Sequence, residues 1–518
     1  MSTDKNYYVT TPIYYVNDKP HMGHAYTTVA CDVLARFKRL DGFNVKFLTG
    51  TDEHGLKVFQ SAEKRGVSPQ QHCDENSKKF RDLLSLMNVT NDQFIRTTED
   101  FHKKSAQAIW QKLVDNGDIY LDKYAGWYSM RDEAYYAEEE LTKNEGGVMI
   151  SPFGAECEWT EEESYFFKLS AYEDKLLAFY QDNPLSVQPQ SRMNEVTSFV
   201  KGGLKDLCLS RTTFDWGVKV PNAPEHVMYV WIDALTNYIS ALGYPDTEGE
   251  EFQAFWPADL HMVGKDILRF HAVYWPAFLM GAGLEPCKCV YAHGWWTVDG
   301  EKMSKSIGNV IDPYDLVPKY GLDQLRYFLL REVPFGNDGD FSHDAMVGRM
   351  NSDLANNFGN LAQRSLSMVQ KNCDGKVPEI GDFIAEDQAL LNACDAMLVK
   401  VREELDQQRF SRALEAIWSV ISDANAYIDE QAPWTLKKTD PARMATVLYV
   451  VMETVRNAAL ILQPFMPESC AKMLDLLAVA SEQRGMDYIG EKGRLVSGAE
   501  LPKPAGVFPR YVEEEKAA

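Results

Sequence analysis

The stretch from Tyr8 to His24 most constrains what this chain can fold into. It reads YVTTPIYYVNDKPHMGH, in which a short β-rich run breaks at Pro12 and a turn-forming segment leads to HMGH. The residues that follow, AYTTVACDVLARFKRL, have apolar side chains at helical spacing. A strand, a turn and a helix N-terminus in this order predict an α/β unit whose unpaired N–H groups form an anion site.

The two histidines of this stretch suit a phosphoryl ligand. His21 and His24 are three residues apart, so they share a face if both lie in the first helical turn. Gly23 has no Cβ, which lets a nucleotide approach the backbone. A lone histidine is more often an ordinary surface or core residue, and the pair by itself only suggests a phosphate site.

A second strand is predicted within GFNVKFLTGTDEHG, residues 42–55, and polar residues follow it. Asp52, Glu53 and His54 come at the carboxyl end of this strand, the edge where parallel sheets bind ligands. Glu53 is expected to lie in a solvated turn. Asp52 is expected to bind a substrate, because the ammonium group of a free amino acid needs a carboxylate partner.

A loop much later in the chain carries the second chemical signal. Lys302-Met303-Ser304-Lys305-Ser306 follows the predicted strand CVYAHGWWTV. Flexible ammonium groups and hydroxyls suit a phosphoryl group in transfer, whose charge grows in the transition state. A solvated turn is the alternative for two lysines alone, and the order of the residues disfavours it.

Composition limits the class of protein. The chain has 518 residues, too many for one core, and a formal net charge of −23, which argues against bulk affinity for nucleic acid but not against a local site. Its nine cysteines include no CxxC pair, so neither a disulfide framework nor an evident zinc site is expected. With no N-terminal signal and no run of about 18 apolar residues, the chain is predicted to be cytoplasmic, without a membrane span.

Several blocks in order resemble methionyl-tRNA synthetases, which are class I aminoacyl-tRNA synthetases. These are PIYYVN before HMGH, GTDEHG, VWIDALTNY, GKDILRFH, KMSKS, NNFGNLAQR and DEQAPW. The resemblance runs from about Tyr7 to Leu476. It implies an α/β fold: a Rossmann-type doubly wound parallel-sheet catalytic domain, split by a connective-peptide insertion and followed by an all-α anticodon-binding helix bundle.

Changes in composition agree with that organisation. We expect the domains to be 1–117 (catalytic domain, first half), 118–225 (aromatic-rich insertion), 226–298 (catalytic domain, second half), 299–347 (KMSKS loop and stem-contact segment) and 348–518 (helical anticodon-binding domain with a C-terminal tail).

The resemblance also implies the reaction and its residues. L-methionine would react with ATP, accompanied by Mg²⁺, to give methionyl-adenylate, and the methionyl group would pass to the 3′ end of initiator and elongator tRNA(Met). The residues that match the family's are, for catalysis, His21, His24, Lys302 and Lys305; for ATP, the same four with Gly23, Ser304 and Ser306; for methionine, Ile13, Tyr15, Asp52, Trp231, Ala234, Tyr238, Ile267 and His271; near the active site, Arg211; and for the anticodon, Asn360, Arg364 and Trp434. We expect Trp434 to lie in a loop, where it can stack on a base.

The family's zinc knuckles are CxxC pairs in the insertion. Here GWYSMRDEAYY and ISPFGAECEW contain only Cys157. The resemblance therefore implies the zinc-free variety, with no metal site and with aromatic packing in place of zinc. The chain carries no appended domain of the kind some relatives have, which favours a monomer with no DNA partner.

Three alternatives remain at this point. One is a nucleotidyltransferase that adenylates a carboxylate without tRNA, which the long helical C-terminal part disfavours. Another is a catalytically silent tRNA-binding relative, which the intact histidines and lysines disfavour. The third is a synthetase for another amino acid, which Tyr15, Trp231 and His271 disfavour.

Overall fold

The structure, a computed structural model, describes residues 5–17, 19–132, 134–144, 146–298, 300–302 and 311–513. It divides into two compact units. The sheet unit comprises residues Asn6–Pro20 and Lys46–His293, and the helical unit comprises the described residues within Met1–Lys5, His21–Val45 and Gly294–Ala518.

The strands are β1 (Asn6–Thr10), β2 (Tyr14–Tyr15), β3 (Asn44–Asp52), β4 (Gln93–Arg96), β5 (Ile119–Ser129), β6 (Ala134–Tyr136), β7 (Thr142–Lys143), β8 (Met149–Ile150), β9 (Glu156–Phe167), β10 (Val187–Gln188), β11 (Leu207–Cys208), β12 (Ser210–Arg211), β13 (Lys219–Val220), β14 (Ala223–Met228), β15 (Leu260–Gly264), β16 (Val290–His293), β17 (Trp296–Val298), β18 (Glu301–Lys302) and β19 (Gly339–Phe341).

The α-helices are α1 (Met22–Leu40), α2 (Leu56–Arg65), α3 (Pro69–Leu86), α4 (Asp100–Asp115), α5 (Glu173–Asp182), α6 (Gln190–Lys201), α7 (Val230–Ser240), α8 (Glu250–Phe255), α9 (Trp275–Ala282), α10 (Pro313–Tyr320), α11 (Leu322–Arg331), α12 (His343–Arg349), α13 (Asn360–Asn372), α14 (Ala385–Asp406), α15 (Phe410–Gln431), α16 (Pro433–Thr439), α17 (Pro441–Leu462) and α18 (Pro467–Leu476).

The central sheet of the sheet unit has seven strands in the order β10-β16-β15-β1-β3-β2, with β4 also paired to β3. Its strand pairs run parallel at β1–β15, β15–β16, β10–β16, β2–β3 and β3–β4. The chain builds outward from β1 in both directions, so a topological switch point lies at the carboxyl end of β1. This topology confirms the predicted Rossmann-type doubly wound sheet.

The insertion contributes a second, antiparallel sheet in the order β6-β5-β9-β8-β7, with β11 paired to β9. The longest pairing in this sheet joins β5 to β9 and extends from Ile119 opposite Phe167 to Tyr128 opposite Glu158. Strand β10, farther along the insertion, joins the central sheet instead. One hydrophobic cluster, which includes Trp110 and Trp275, extends through the sheet unit.

The helical unit contains α1, α10–α18 and a three-stranded sheet in the order β18-β17-β19. A π-helix, Met350–Gly359, connects α12 directly to α13. Among the described residues, only α17 is long and apolar enough to cross a membrane by length and composition, and 94% of its most apolar window is buried in the protein. That burial identifies α17 as the core helix of a bundle.

Polar contacts hold α1 to the other helices of this unit. Arg326 and Asp32 are both fully buried, and Arg326 Nη2 lies 2.7 Å from Asp32 Oδ2. The same guanidinium donates through Nη2 to the Pro464 carbonyl at 2.8 Å and through Nε to the Phe465 carbonyl at 3.1 Å. One arginine therefore joins α1, α11 and the α17–α18 turn.

Candidate active site

The HMGH motif begins α1, and both of its imidazoles cap the helix. His21 is the N-cap residue in an extended conformation, and its Nδ1 accepts from the Gly23 backbone N–H at 3.0 Å. His24 Nδ1 accepts from the His21 backbone N–H at 3.1 Å. A Cβ on Gly23 would lie 2.9 Å from His21 Cε1, so glycine is needed for the ring to fold onto the helix end. Both histidines therefore lie at the start of α1, His21 as the N-cap residue and His24 at the third helical position.

These bonds fix which nitrogen carries a proton. A ring nitrogen that accepts from a backbone N–H has no hydrogen, so each neutral imidazole is protonated at Nε2. Burial, with a smaller contribution from His21, holds the pKa of His24 well below its usual range. The ring centroids are 4.0 Å apart. The helix N-terminus thus carries paired imidazoles, with His24 held as a neutral N–H donor, which suits a phosphoryl group.

The KMSKS segment lies only partly within the described residues. The backbone of Lys302 pairs with Thr297 at the end of β18. Ser304, Lys305 and Ser306 lie outside the described residues. Directly after the segment, the Ile311 carbonyl accepts from the Met22 N–H at 3.3 Å. The chain that leaves KMSKS therefore contacts the first residue of the HMGH helix, within the same unit.

In the sheet unit, the carboxyl ends of β2 and β3 bring Tyr15 and Asp52 together as directly paired residues. Asp52 is buried and is the last residue of β3. The expectation that Glu53 lies in a solvated turn is wrong. Glu53 is fully buried, and its carboxylate accepts from Arg96 Nε at 2.7 Å and Nη2 at 3.0 Å. Arg96 ends β4, 43 residues away, so nothing near Glu53 in sequence announced its partner.

Tyr238 and His271 form a closed hydrogen-bonded pair. His271 Nδ1 donates to the Ile267 carbonyl at 2.9 Å, which leaves Nε2 to accept from the Tyr238 hydroxyl at 2.8 Å. Burial lowers the pKa of His271 to about 4, so the ring is neutral at pH 7. With the hydroxyl proton directed at His271, the pair presents an uncharged surface, which suits a thioether better than a charged side chain.

A π-turn brings His271 into position. A 3₁₀ turn, Lys265–Ile267, leads into the π-helix Phe270–Tyr274 ahead of α9. Trp231, in the first turn of α7, stacks on Phe270 with centroids 3.7 Å apart and planes 4° apart. Phe270 is a residue that sequence reasoning missed, although it lies inside GKDILRFH. π-Turns often mark functional sites, and here one turn presents both Phe270 and His271.

The other residues predicted to bind methionine pack against the same hydrophobic core. Ile13, Tyr15, Trp231 and Ile267 are partly buried side chains packed on the hydrophobic cluster that contains Tyr238. Ala234 is buried one turn along α7 from Trp231. The structure therefore brings Tyr15 beside Asp52 and groups Trp231, Tyr238, Ile267 and His271.

Arg211 is buried among aromatic rings. Its guanidinium carbon lies 5.2, 4.4 and 5.0 Å from the ring centroids of Tyr128, Tyr135 and Tyr229. Its Nη1 also donates to the Ser210 carbonyl at 2.7 Å. Arg211 belongs to β12, which pairs with β14, and its guanidinium packs on the rings of Tyr128, Tyr135 and Tyr229.

The predicted anticodon residues gather in the helical unit. The exposed Asn360 begins α13, and the Arg364 guanidinium one turn later lies 5.4 Å from the Trp434 ring centroid. Arg364 also pairs with Asp429 at 3.3 Å. Trp434 does not lie in a loop as expected. It is the second residue of α16, where Pro433 starts the helix, and 40% of its surface is exposed.

Hydrogen bonds join the two insertion turns in which the family's zinc knuckles would lie. Ser151 Oγ donates to Asp132 Oδ2, and the Tyr136 hydroxyl donates to the same oxygen at 3.1 Å. Ser151 Oγ also accepts from the Ala155 N–H at 3.1 Å. The expected aromatic packing is present beside this network, with Tyr128 and Tyr135 at 4.8 Å, but polar bonds connect the turns. Among the described residues no group of three or more His, Cys, Asp or Glu side chains is placed to hold a metal ion.

Comparisons with known proteins show the family of this chain. The family model "tRNA synthetases class I (M)" matches residues 7–145 and 147–366, and the model "Anticodon binding domain of methionyl tRNA ligase" matches residues 377–518. A doubly wound parallel sheet, an HMGH-capped helix and a helical anticodon-binding region together define a class I aminoacyl-tRNA synthetase.

Individual relatives narrow the class. The methionine–tRNA ligases of Brucella suis biovar 1 and Rhizobium meliloti are each 58% identical to this chain, covering 100% and 99% of it and 100% of each relative. A solved structure of Mycobacterium tuberculosis methionyl-tRNA synthetase in complex with methionyl-adenylate is 55% identical, covers 98% of this chain and 100% of its own, and superimposes with a TM-score of 0.95. The chain belongs to the methionyl-tRNA synthetase family. It activates L-methionine with ATP to methionyl-adenylate and transfers the methionyl group to tRNA(Met).

Proposed function

We propose that two sets of residues bind the two small substrates of this reaction. Methionine binds to the sheet unit, with Asp52 on its ammonium group and its side chain against Ile13, Tyr15, Trp231, Ala234, Tyr238, Ile267 and His271. ATP binds at the start of α1 through His21, Gly23 and His24. The double imidazole cap carries this proposal, because each neutral ring accepts a backbone N–H through Nδ1 and so has its hydrogen on Nε2, as a donor for a phosphate oxygen.

The first step needs alignment more than acid–base chemistry. The methionine carboxylate, already a nucleophile at pH 7, attacks the α-phosphorus of ATP and pyrophosphate leaves. Negative charge grows on the phosphoryl oxygens, and N–H donors at the cap stabilise it. Lys302, Ser304, Lys305 and Ser306 act on the same phosphates, and Mg²⁺ bound with ATP supplies further charge neutralisation.

The second step joins the amino acid to RNA. A hydroxyl of the terminal adenosine attacks the carbonyl carbon of the adenylate, and AMP leaves. The resemblance of this chain to class I synthetases favours the 2′-hydroxyl as the attacking group. Arg211 supports the active site through its contacts with Tyr128, Tyr135 and Tyr229.

The anticodon is read in the helical unit. Asn360 and Arg364 supply polar groups, and the exposed Trp434 ring supplies a stacking surface for an unpaired base. Recognition at this local site is compatible with the net charge of −23, because bulk attraction for RNA is not required. Both initiator and elongator tRNA(Met) are substrates, and the chain acts as a cytoplasmic monomer without DNA or membrane partners.

Trp434→Ala tests the proposed anticodon site. Stacking on one base is worth about 1–3 kcal/mol, so the variant should raise the KM for tRNA(Met) by roughly 5- to 150-fold. ATP–pyrophosphate exchange with methionine, which needs no tRNA, should continue. Phe383→Ala, which removes a side chain of similar exposure in the same unit, should change neither value. Equal charging kinetics in both variants would contradict the assignment, and exchange with another amino acid would contradict the pocket.

The insertion is proposed to fold without zinc. The bonds that Ser151 and Tyr136 make to Asp132 join the two turns, and burial raises the pKa of the thiol of Cys157, the one cysteine of these turns, which disfavours a thiolate ligand. Elemental analysis of the purified protein should find zinc well below one atom per chain, and a chelator should leave methionine-dependent exchange intact in the presence of excess Mg²⁺. Stoichiometric zinc would overturn this proposal, since structural zinc contributes directly to folding.

A further inference from the structure

Hydrogen bonds connect four buried polar side chains of the sheet unit, near the residues proposed to bind methionine. Asp233 Oδ2 lies 2.7 Å from His54 Nδ1, and Asp233 Oδ1 lies 2.8 Å from His102 Nε2. His102 Nδ1 in turn lies 2.8 Å from Ser240 Oγ. All four side chains are almost completely buried. The reaction itself uses none of them.

His54 connects three parts of the methionine site. It follows Asp52 by two residues, at the end of β3. Its backbone carbonyl accepts from the Tyr15 hydroxyl at 2.8 Å. Its imidazole bonds Asp233, which lies on α7 between Trp231 and Ala234. One residue thus joins the β3 end, the β2 tyrosine and the helix that carries the side-chain pocket.

The bond from His54 to Asp233 is charge-assisted. Burial acts to raise the pKa of Asp233, but His54 and the hydrogen bonds from His102 and His54 outweigh it and hold the pKa at about 2. Asp233 is therefore a carboxylate at neutral pH. Each histidine nitrogen that faces it donates, and such bonds are shorter and more directional than neutral ones.

A buried charged group is not needed for stability alone. Apolar residues of similar volume often replace a buried ion pair at no cost in stability, while directional bonds specify one arrangement. A displacement of 1 Å at a substrate-positioning residue can cost about 10²-fold in rate. Because His54 lies two residues after Asp52 and bonds Asp233 of α7, this network controls how Asp52 is aligned with α7.

We propose that His54 is a positioning residue for methionine, which sets the distance between the carboxylate that holds the ammonium group and the helix that holds the side chain. The proposal rests on the assignment of Asp52, Trp231 and Ala234 as methionine-binding residues. His54 acts through these residues and does not touch the substrate.

Two substitutions at one position separate positioning from bulk packing. His54→Leu keeps the side-chain volume and removes the donor to Asp233, whereas His54→Asn retains a donor, Nδ2–H, near the place of Nδ1–H. In methionine-dependent ATP–pyrophosphate exchange, His54→Leu should raise the KM for methionine about tenfold or more, with the KM for ATP within a factor of about two. His54→Asn should restore most of the methionine affinity. Equal KM values for methionine in wild type and His54→Leu would overturn the proposal.

A matched histidine shows whether loosening of the unit alone explains the effect. His226 is also buried, and its Nδ1 lies 3.0 Å from Ser210 Oγ. His226→Leu should lower thermal stability in the manner of His54→Leu but leave the KM for methionine unchanged. An equal rise in KM for both variants would show a general effect and would overturn the proposal.

Failure of this inference is distinguishable from failure of the methionine assignment. Ala234→Val adds bulk inside the proposed pocket without touching the network. If Ala234→Val leaves the KM for methionine unchanged, the pocket assignment is wrong, and with it the role of His54. If Ala234→Val raises it and His54→Leu does not, only the role of His54 is wrong. Should His54→Leu fail to fold, Asp233→Asn, which keeps the shape and removes the charge, carries the same expectation.

Discussion

Replacement of His24 by alanine should slow methionyl-adenylate formation by about 10²–10³-fold, the usual cost of removing one donor aimed at developing charge. Its Nδ1 is occupied by the His21 backbone N–H, so a neutral His24 ring carries its proton on Nε2. The residues proposed to bind methionine belong to the sheet unit and not to α1, so the KM for methionine should change little. Single-turnover formation of adenylate, followed by release of labelled pyrophosphate, measures the loss directly.

The control for this substitution is His24→Asn. An asparagine Oδ1 can accept from the His21 N–H and preserve the cap, but its amide does not extend to the position of imidazole Nε2. Helix stability should therefore return while the rate stays low. A His24→Ala enzyme with a nearly normal single-turnover rate would remove His24 from the catalytic residues. Recovery of the rate in His24→Asn would show that capping alone was at stake.

The largest effect on stability is expected at Arg326. Arg326→Met removes a fully buried partner of the Asp32 carboxylate, while Arg36 Nε still bonds Asp32 at 2.8 Å. Loss of one partner of a buried ion pair costs about 3–5 kcal/mol, and the remaining Arg36 bond should keep the loss near the lower end of that range. Arg326 also donates to the Pro464 and Phe465 carbonyls, which would lose those bonds. Equilibrium urea unfolding, followed by circular dichroism at 222 nm, should show the helical unit unfolding at lower denaturant concentration.

Two further variants give this prediction its controls. Arg402→Met removes another arginine that bonds α1, at Asp41, but Arg402 is 42% exposed and water can replace its contact, so the loss should be much smaller. The double variant Asp32→Asn/Arg326→Met removes both charges and should recover part of the stability. Arg326→Met as stable as Arg402→Met would contradict the interpretation of Asp32–Arg326 as a structural ion pair.

Local features of the fold were predictable because their causes are local. Apolar spacing after HMGH predicted α1, and the turn-forming residues before HMGH predicted that the helix begins there. The short segment QFIR forms β4 and the pair Val187–Gln188 forms β10, yet neither is marked by a strand pattern of its own. Both are stabilised by pairing with distant strands, β3 and β16, and such pairings are not visible in a short window.

Errors at the site have the same origin. Glu53 looked like a turn residue because its neighbours are polar, while its partner Arg96 lies on another strand. Trp434 looked like a loop residue after Pro433, but proline at the first position starts α16. Most of the residues proposed to bind methionine were predicted only from the resemblance of whole motifs, because no sequence periodicity or spacing connects Tyr15 with His271. Phe270, whose ring stacks on Trp231, was missed for that reason.

The placement of α1 has a consequence for how this enzyme can be divided. The helix that starts at His21 and His24 packs with helices of the anticodon domain: Lys38 bonds Asp406 at 2.6 Å, and Asp41 bonds Arg402. A fragment that stops before α14 would lose these partners and the two carbonyls that Arg326 contacts. The chemistry and the RNA reading are separate tasks, but they are not separate modules. Fragments and chimaeras made from this chain should keep α14–α18 with α1.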